Sequence, residues 1–344
     1  MKKYHPLKEL FLVRMRTFYR EPEAIFWVYG FPLLLAIGLG IAFRQRPPQV
    51  ITVDIQASPA AETIASQLEG NERFDVRIST EQVCTDRLRM AKTDIVVKPS
   101  QPLEYRYDPT RPESAVARTL LDDALQRAVG RTDPRQVVDK TVTEPGARYI
   151  DFLIPGLLGM NLMGGGMWGV GYVVTDMRLK KLLRRLLATP MRKSHFLFSL
   201  IFGRIVFVLP EIVLLIGAGV VLFGIPVRGG VIGILTVTIV GSLSFAGLGL
   251  LVASRAQKLE TISGLTNLVM LPMWLFSGVF FSSERFPDAF QPFIQALPLT
   301  QLVDALRAVI LEGEPLWIQS TRLLILALWG GLSFLLALKW FRWT

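Results

Sequence analysis

At 344 residues, 51% of them hydrophobic and 19% charged, the chain is more apolar than an ordinary soluble protein, in which about 25% of residues are charged. Its net charge of +10 and mean hydropathy of +0.40 fit either nucleic acid or a membrane, and where the charges fall decides between them. The lone cysteine, Cys84, excludes an intrachain disulfide, and His5 and His195 stand too far apart in sequence to suggest a metal site.

Residues 1–23 interleave Lys and Arg with Leu7, Leu10, Phe11, Val13, Met15 and Phe18. This is the pattern of an amphipathic helix lying in a membrane interface, with a plain cytosolic tail as the alternative. A spanning helix needs about 20 mostly apolar residues. Six segments qualify: 24–43, 150–174, 196–223, 231–253, 262–281 and 319–340. The first is too long for a cleavable signal and no small-residue cleavage site follows it.

Residues 44–148 break the apolar pattern with charges of both signs. QVITVDI (49–55), FDVRI (74–78), DIVV (94–97) and LEYRY (103–107) read as strands. Segments 59–70, 80–91 and 112–129 read as helices, the last with Val116, Leu120, Leu121, Ala124 and Leu125 as its apolar positions. Strands alternating with helices predict a small α/β domain. Adjacent Asp122 and Asp123 point apart on a helix, so they read as a solvated face rather than an acid/base dyad.

Orientation follows the Lys and Arg of the short loops. One side holds Lys2, Lys3, Lys8, Arg14, Arg16, Arg20, the 178–193 cluster, Arg255, Lys258, Lys339 and Arg342. The other holds Arg228, Arg285 and Arg307, with Arg322 at its edge. Both termini are therefore expected in the cytoplasm and 44–148 outside. The basic charge is mostly a record of topology, and no nucleic-acid-binding module accompanies it. The expected fold is an all-α membrane protein with six transmembrane helices and an inserted extracytoplasmic α/β domain. The region 149–344 supplies five of the helices, a cytoplasmic helix within 176–195 and short external helices in 283–312.

Several motifs are more specific. The cytosolic loop carries Leu186-Leu187-Ala188-Thr189-Pro190. Downstream come Ser277-Gly278-Val279-Phe280-Phe281 and Leu297-Pro298-Leu299, followed by Asp304-Ala305-Leu306-Arg307. The external segment adds Val53-Asp54, Asp108-Pro109 and Arg118. Through these residues the chain resembles the integral membrane subunit of an ABC-2-type exporter, in the branch with a large external loop between the first two spans. It departs from the family where a Glu and a Gly-Thr pair commonly precede Leu-Leu-Ala-Thr-Pro; here Leu179-Lys180-Lys181-Leu182 stands instead.

The resemblance implies a pair of permease copies bound to two ABC ATPase subunits on the cytoplasmic face of a bacterial inner membrane. It also implies export of an amphiphilic, drug-like or lipid-like molecule by alternating access, with a periplasmic adaptor as a further partner. No G-x-x-x-x-G-K-[ST] phosphate loop occurs in this sequence, so ATP and Mg²⁺ are expected on a separate partner chain and no cofactor on this one. An ATP-independent secondary transporter and a membrane scaffold for an external adaptor are the alternatives. The former would need ionisable residues in several spans.

Two sites follow. As one helix, 178–187 would align Leu179, Leu182, Leu183, Leu186 and Leu187 in a stripe, flanked by Lys180, Lys181, Arg184 and Arg185 and ended near Thr189 by Pro190. The family match makes this the ATPase-coupling helix, with Leu183 and Leu187 seated in the ATPase and the basic residues also meeting anionic lipid headgroups. Glu211, near the centre of span three, is costly at that depth and should face the bundle interior. Arg204 lies about 10 Å away by helix rise, so pairing within the helix is not expected, and Asn161 and Asn267 are the candidate partners. Glycines 156, 159, 164, 165, 166, 169 and 171 permit close packing within one subunit. Asp304 and Arg307, at i and i+3, are expected in the external gate segment.

Overall fold

The computed structural model describes residues 6–43, 50–132, 135, 148–188 and 193–340. The chain divides into two compact units, one of Met1–Arg44 with Thr143–Thr344 and the other of Gln45–Val142. The first unit opens with α1 (Pro6–Tyr19). After a turn at Arg20-Glu21, Pro22 starts α2 (Pro22–Ile25), at a position where a missing N–H costs nothing. A π-helical stretch, Phe26–Gly30, carries it into α3 (Phe31–Ala42).

Among its described residues the second unit is a four-stranded sheet with three helices. In chain order it runs β1 (Ile51–Gln56), α4 (Ala61–Leu68), β2 (Phe74–Ser79), α5 (Glu81–Arg89), β3 (Ile95–Lys98), β4 (Glu104–Arg106) and α6 (Pro112–Ala128). The strand order is β2-β1-β3-β4. β1 pairs in parallel with β2 and β3, and β4 is antiparallel to β3. β3 is almost wholly Ile and Val, and β1 buries Ile51, Val53, Asp54 and Ile55, as strands covered on both faces require. Val53, Ile55, Ile95 and Val97 form the core with Ala117, Leu121 and Leu125 of α6. The buried stripe of α6 is thus 117, 121 and 125, one helical row. Val116 and Leu120, expected among its apolar positions, are exposed. Asp122 and Asp123 do diverge: Asp122 accepts from Tyr105 and Gln126, and Asp123 from Arg127 and Arg131.

The first unit resumes with α7 (Tyr149–Gly166), which runs through π-helical Met167–Tyr172 into α8 (Val173–Leu179). Next are α9 (Leu182–Leu187), α10 (Lys193–Phe223), α11 (Val231–Ala253) and α12 (Leu259–Phe276). Short 3-10 turns lead to α13 (Gln291–Ala296) and α14 (Pro298–Arg307), and α15 (Ser320–Trp340) closes the chain. Among the described residues six helices are long and apolar enough to cross a membrane: Pro22–Ala42, Tyr149–Leu179, Phe198–Phe223, Val231–Ala253, Leu259–Phe276 and Ser320–Trp340. This agrees with the count of six from hydropathy. Helices are the form that satisfies every backbone polar group internally in lipid.

Tyr149–Leu179 and Val231–Ala253 are the central spans, 72% and 56% buried in their most apolar stretches, against 17–28% for the other four. Glycine makes their crossing possible. A Cβ on Gly171 would meet the Gly249 carbonyl oxygen at 2.7 Å, and one on Gly249 would meet that of Gly166 at 2.5 Å. The segment 283–312, expected to hold short helices, packs closely on the central spans. Asp288–Ala296 and Pro298–Glu312 form a pair bent by 87°, and Leu299, Leu302, Val303, Ala305 and Leu306 of α14 are fully buried. Val303 lies against Gly159 and Leu302 against Gly241.

Candidate functional site

The basic loop does not form one helix over 178–187. α8 ends at Leu179, and Lys181 takes a left-handed conformation, φ +56°, before α9 begins. Few non-glycine residues adopt such a φ, and it redirects the chain so that the expected leucine stripe is split. Leu179 is exposed, whereas Leu183 is 1% exposed and packs with Val170, Val174, Phe196, Leu200, Ala246 and Leu250. Leu186 packs on the same cluster, half-buried, and Leu182 is also half-buried. Leu183 is therefore an anchor within this chain and not a knob offered to another. Lys180, Lys181, Arg184 and Arg185 face outward. The Leu187 side chain, Thr189 and Pro190 lie outside the described residues.

Arg178, at the end of α8, ties the loop to the bundle. Its guanidinium donates to the carbonyls of Ala253 at 2.9 Å, Ala256 at 2.7 Å and Ser254 at 3.3 Å. These carbonyls are at and just beyond the C-terminus of α11, where the backbone runs out of partners and the helix dipole favours a cation. Lys180 reaches back to Asp176 at 2.8 Å. Nothing in the sequence distinguishes Arg178 from the other basic residues around it.

The second locus is buried. Arg204 and Glu211 pair in a two-toothed geometry, Nη1 to Oε1 at 2.6 Å and Nη2 to Oε2 at 3.1 Å. Pairing along the helix was not expected at a rise of about 10 Å. It occurs because helical side chains lean toward the N-terminus, so Glu211 tilts toward Arg204, and the long Arg204 stem closes the remaining gap. Arg204 is 3% and Glu211 1% exposed. Arg204 Nη2 also donates to the Leu162 carbonyl at 3.4 Å, and Gly165 leaves the space its guanidinium occupies.

A second arginine comes in from α1. Arg14 lies across Gly203 and donates to the Gly169 carbonyl at 2.6 Å. Gly165 and Gly169, four residues apart, thus receive two guanidinium groups. Nearby, Tyr29 donates to the Phe207 carbonyl at 3.1 Å, and the Phe18 ring packs on Phe207 with centroids 4.2 Å apart. Neither asparagine proposed as a partner meets Glu211. Asn161 donates to the Val28 carbonyl at 2.9 Å, and Asn267 is exposed on α12.

Asp304 and Arg307 come within 3.8 Å, but the stronger contacts of Arg307 are elsewhere. Its guanidinium donates to the carbonyls of Phe152 and Gly278 and sits 3.5 Å from the centre of the Phe152 ring. This clamps the Ser277-Gly278 turn to α7, with Gly278 at φ +72° supplying a bend that other residues resist.

In the inserted unit, Asp54 is fully buried and receives Arg87 Nε at 2.6 Å. Burial, with Asp54 beside it, pushes the Cys84 thiol up, so it is a poor nucleophile at neutral pH. Burial and the hydrogen bond to Asp122 push the Tyr105 phenol up to about 12. Among the described residues no group of three His, Cys, Asp or Glu side chains is arranged to hold a metal.

A family profile described as ABC-2 family transporter protein matches residues 22–339. ABC transporter G family member 20 of Dictyostelium discoideum is 27% identical over 65% of this chain and 31% of its own length. Nodulation protein J of Bradyrhizobium diazoefficiens is 28% identical over 48% of this chain and 64% of its own. The Escherichia coli inner membrane transport permease YhhJ is 26% identical over 35% of this chain and 32% of its own. The matched stretches thus span less than two thirds of each of these relatives.

Proposed function

The chain belongs to the ABC-2 transporter family, a multi-pass membrane permease, and from that premise we propose that it is the membrane subunit of an ATP-driven exporter. In this reading two permease copies associate with two ABC ATPase subunits, which bind ATP and Mg²⁺. ATP-induced closure of the ATPases drives alternating access between the copies. Both termini and the 176–188 loop face the cytoplasm, and the 45–142 unit faces outward. The cargo is amphiphilic, drawn from the cytoplasm or the inner leaflet of a bacterial inner membrane.

One observation carries the reading. Lys180, Lys181, Arg184, Arg185 and Leu179 face outward on a loop whose other side is fixed to the bundle by Leu183 and Arg178. A surface of this kind can receive a push and pass it on. Anionic lipid headgroups meet the same basic residues between contacts with the ATPase.

The test is ATP-dependent accumulation of an amphiphilic dye in inverted vesicles holding the chain and its ATPase. Leu179→Asp with Arg184→Glu and Arg185→Glu alters only exposed positions. The triple variant is expected to insert at wild-type yield and to lose most of the co-purifying ATPase. Wild-type recovery of ATPase with that variant, or dye accumulation driven by a proton gradient without ATP, would overturn the proposal.

A further inference from the structure

The inserted unit leaves one long strand edge open. β2 is the terminal strand of the sheet, paired on one side with β1. The Ile51 N–H donates to the Arg73 carbonyl and the Ala57 N–H to that of Ser79, so the odd-numbered residues of β2 direct their backbone groups at β1. By the alternation of a strand, Phe74, Val76 and Ile78 direct theirs at the free edge. The Phe74 N–H is already taken by the Asn71 carbonyl. The outward groups of Val76 and Ile78 and the Phe74 carbonyl have no strand beside them among the described residues.

The side chains along this edge form a self-complementary series. Phe74, Asp75, Val76, Arg77 and Ile78 alternate apolar and charged residues and are symmetric about Val76 except for the sign of the charge. We propose that the β2 edge pairs antiparallel with the β2 edge of a second copy of this chain, in a register centred on Val76. In that register Val76 exchanges both backbone hydrogen bonds with Val76 of the second copy, and the Ile78 N–H donates to the Phe74 carbonyl across the seam. Asp75 stands opposite Arg77 of the other copy, and Arg77 opposite Asp75. The two residues are exposed and already 2.9 Å apart within one strand, so pairing creates four charges of alternating sign.

The charges also select the register. Centring the pair on Asp75 or on Arg77 would set like charges directly opposite each other, which is destabilising. On the other face, Phe74, Val76 and Ile78 line an open groove of about 670 Å³ with Ala65 and Leu68 of α4, rimmed by exposed Glu62 and Glu69. Residues opposite each other in a sheet share a face, so Ile78 of the second copy comes to lie beside Phe74 in that groove. An open strand edge is a ready template for another chain, and this one carries a sequence that fits itself.

The inference rests on the reading that two copies of this chain share one assembly, and the test separates the two. Differently tagged copies, both Cys84→Ala, are expressed together with the ATPase in membranes. Asp75→Cys in one copy and Arg77→Cys in the other occupy a non-hydrogen-bonded pair, with Cα atoms about 4.5 Å apart, within disulfide reach. Two Asp75→Cys copies, or two Arg77→Cys copies, are staggered by two residues and lie roughly 8 Å apart, beyond that reach.

Oxidation is expected to cross-link the mixed pair at least tenfold more than either matched pair. Equal cross-linking in all three, or none in any while the tagged copies still co-purify, would overturn the strand pairing and leave the dimeric permease standing. Failure of the tagged copies to co-purify would overturn both.

Discussion

Replacing Glu211 with Met would leave the Arg204 guanidinium buried and charged, without the carboxylate that holds two of its nitrogens. Removing one partner of a buried ion pair costs about 3–5 kcal/mol, whereas replacing both with apolar residues of similar volume is often neutral. The same range is expected for Arg204→Met, but Glu211→Met should be the worse of the two. Arg14 lies close by and is repelled by Arg204, so losing the carboxylate exposes two guanidiniums to each other. The double variant Arg204→Met/Glu211→Met is expected within about 1 kcal/mol of the wild type, because methionine adapts to the space left. The coupling energy of the cycle is then at least about 5 kcal/mol, or between three and four powers of ten in the folding equilibrium.

Unfolding in lipid nanodiscs measures the four proteins side by side, with half-lives at a fixed temperature replacing equilibrium values if unfolding is irreversible. Additive losses, or single-variant losses below about 1 kcal/mol, would refute a buried, mutually dependent pair. Export by the double variant separates structure from mechanism. A pair that only fastens α10 upon itself and to α7 predicts restored export, and a restored fold without export would refute that and place the pair on the cargo path.

Two further outcomes are expected. Lys181→Gly should retain or improve coupling, since a left-handed residue costs about 1–2 kcal/mol unless it is glycine. With Lys181→Val the partner ATPase should still hydrolyse ATP but drive less export; both variants remove the charge, so equal export by the two would show that the turn is irrelevant. The raised phenol of Tyr105 binds its proton more tightly folded than unfolded, so its contribution is fully present below about pH 10 and is lost as pH rises through about 12. Tyr105→Phe should flatten the fall in unfolding free energy over that window, and an unchanged slope would refute it.

The spans were legible because lipid leaves helical periodicity little freedom: a run long enough to cross has to be a helix. The strands of the inserted unit were legible from their alternation, as in Phe74-Asp75-Val76-Arg77-Ile78. What hydropathy could not give was direction. Leu179 and Leu183 have equal hydrophobicity and fall on the same helical row, but one left-handed residue between them exposes the first and buries the second. The Arg204–Glu211 pair was hidden for a related reason. Spacing along a helix measures Cα positions, while an ion pair is closed by side chains several bonds longer. Arg14 gave no signal at all, because nothing in its basic, amphipathic neighbourhood marks the one arginine that reaches Gly169.

The placement of the anchors bears on how force would travel through the permease. Leu183 packs against Val170 and Val174 on one central span and against Ala246 and Leu250 on the other. Arg178 holds the carbonyls at the end of that second span. The two spans meet at glycines, with backbone against backbone at Gly171 and Gly249. Close-packed contacts of this kind shift as units, because they have no loose side chains to absorb a displacement. A push on the basic face of the loop would therefore reach both central helices together, and α10 with them through Phe196 and Leu200. The outer helices expose apolar residues such as Val213, Val221, Leu268 and Leu335, and in the proposed assembly these surfaces would meet lipid or a second copy. In the proposed exporter, the close-packed pair at the centre would carry a push on the loop toward the face between two copies.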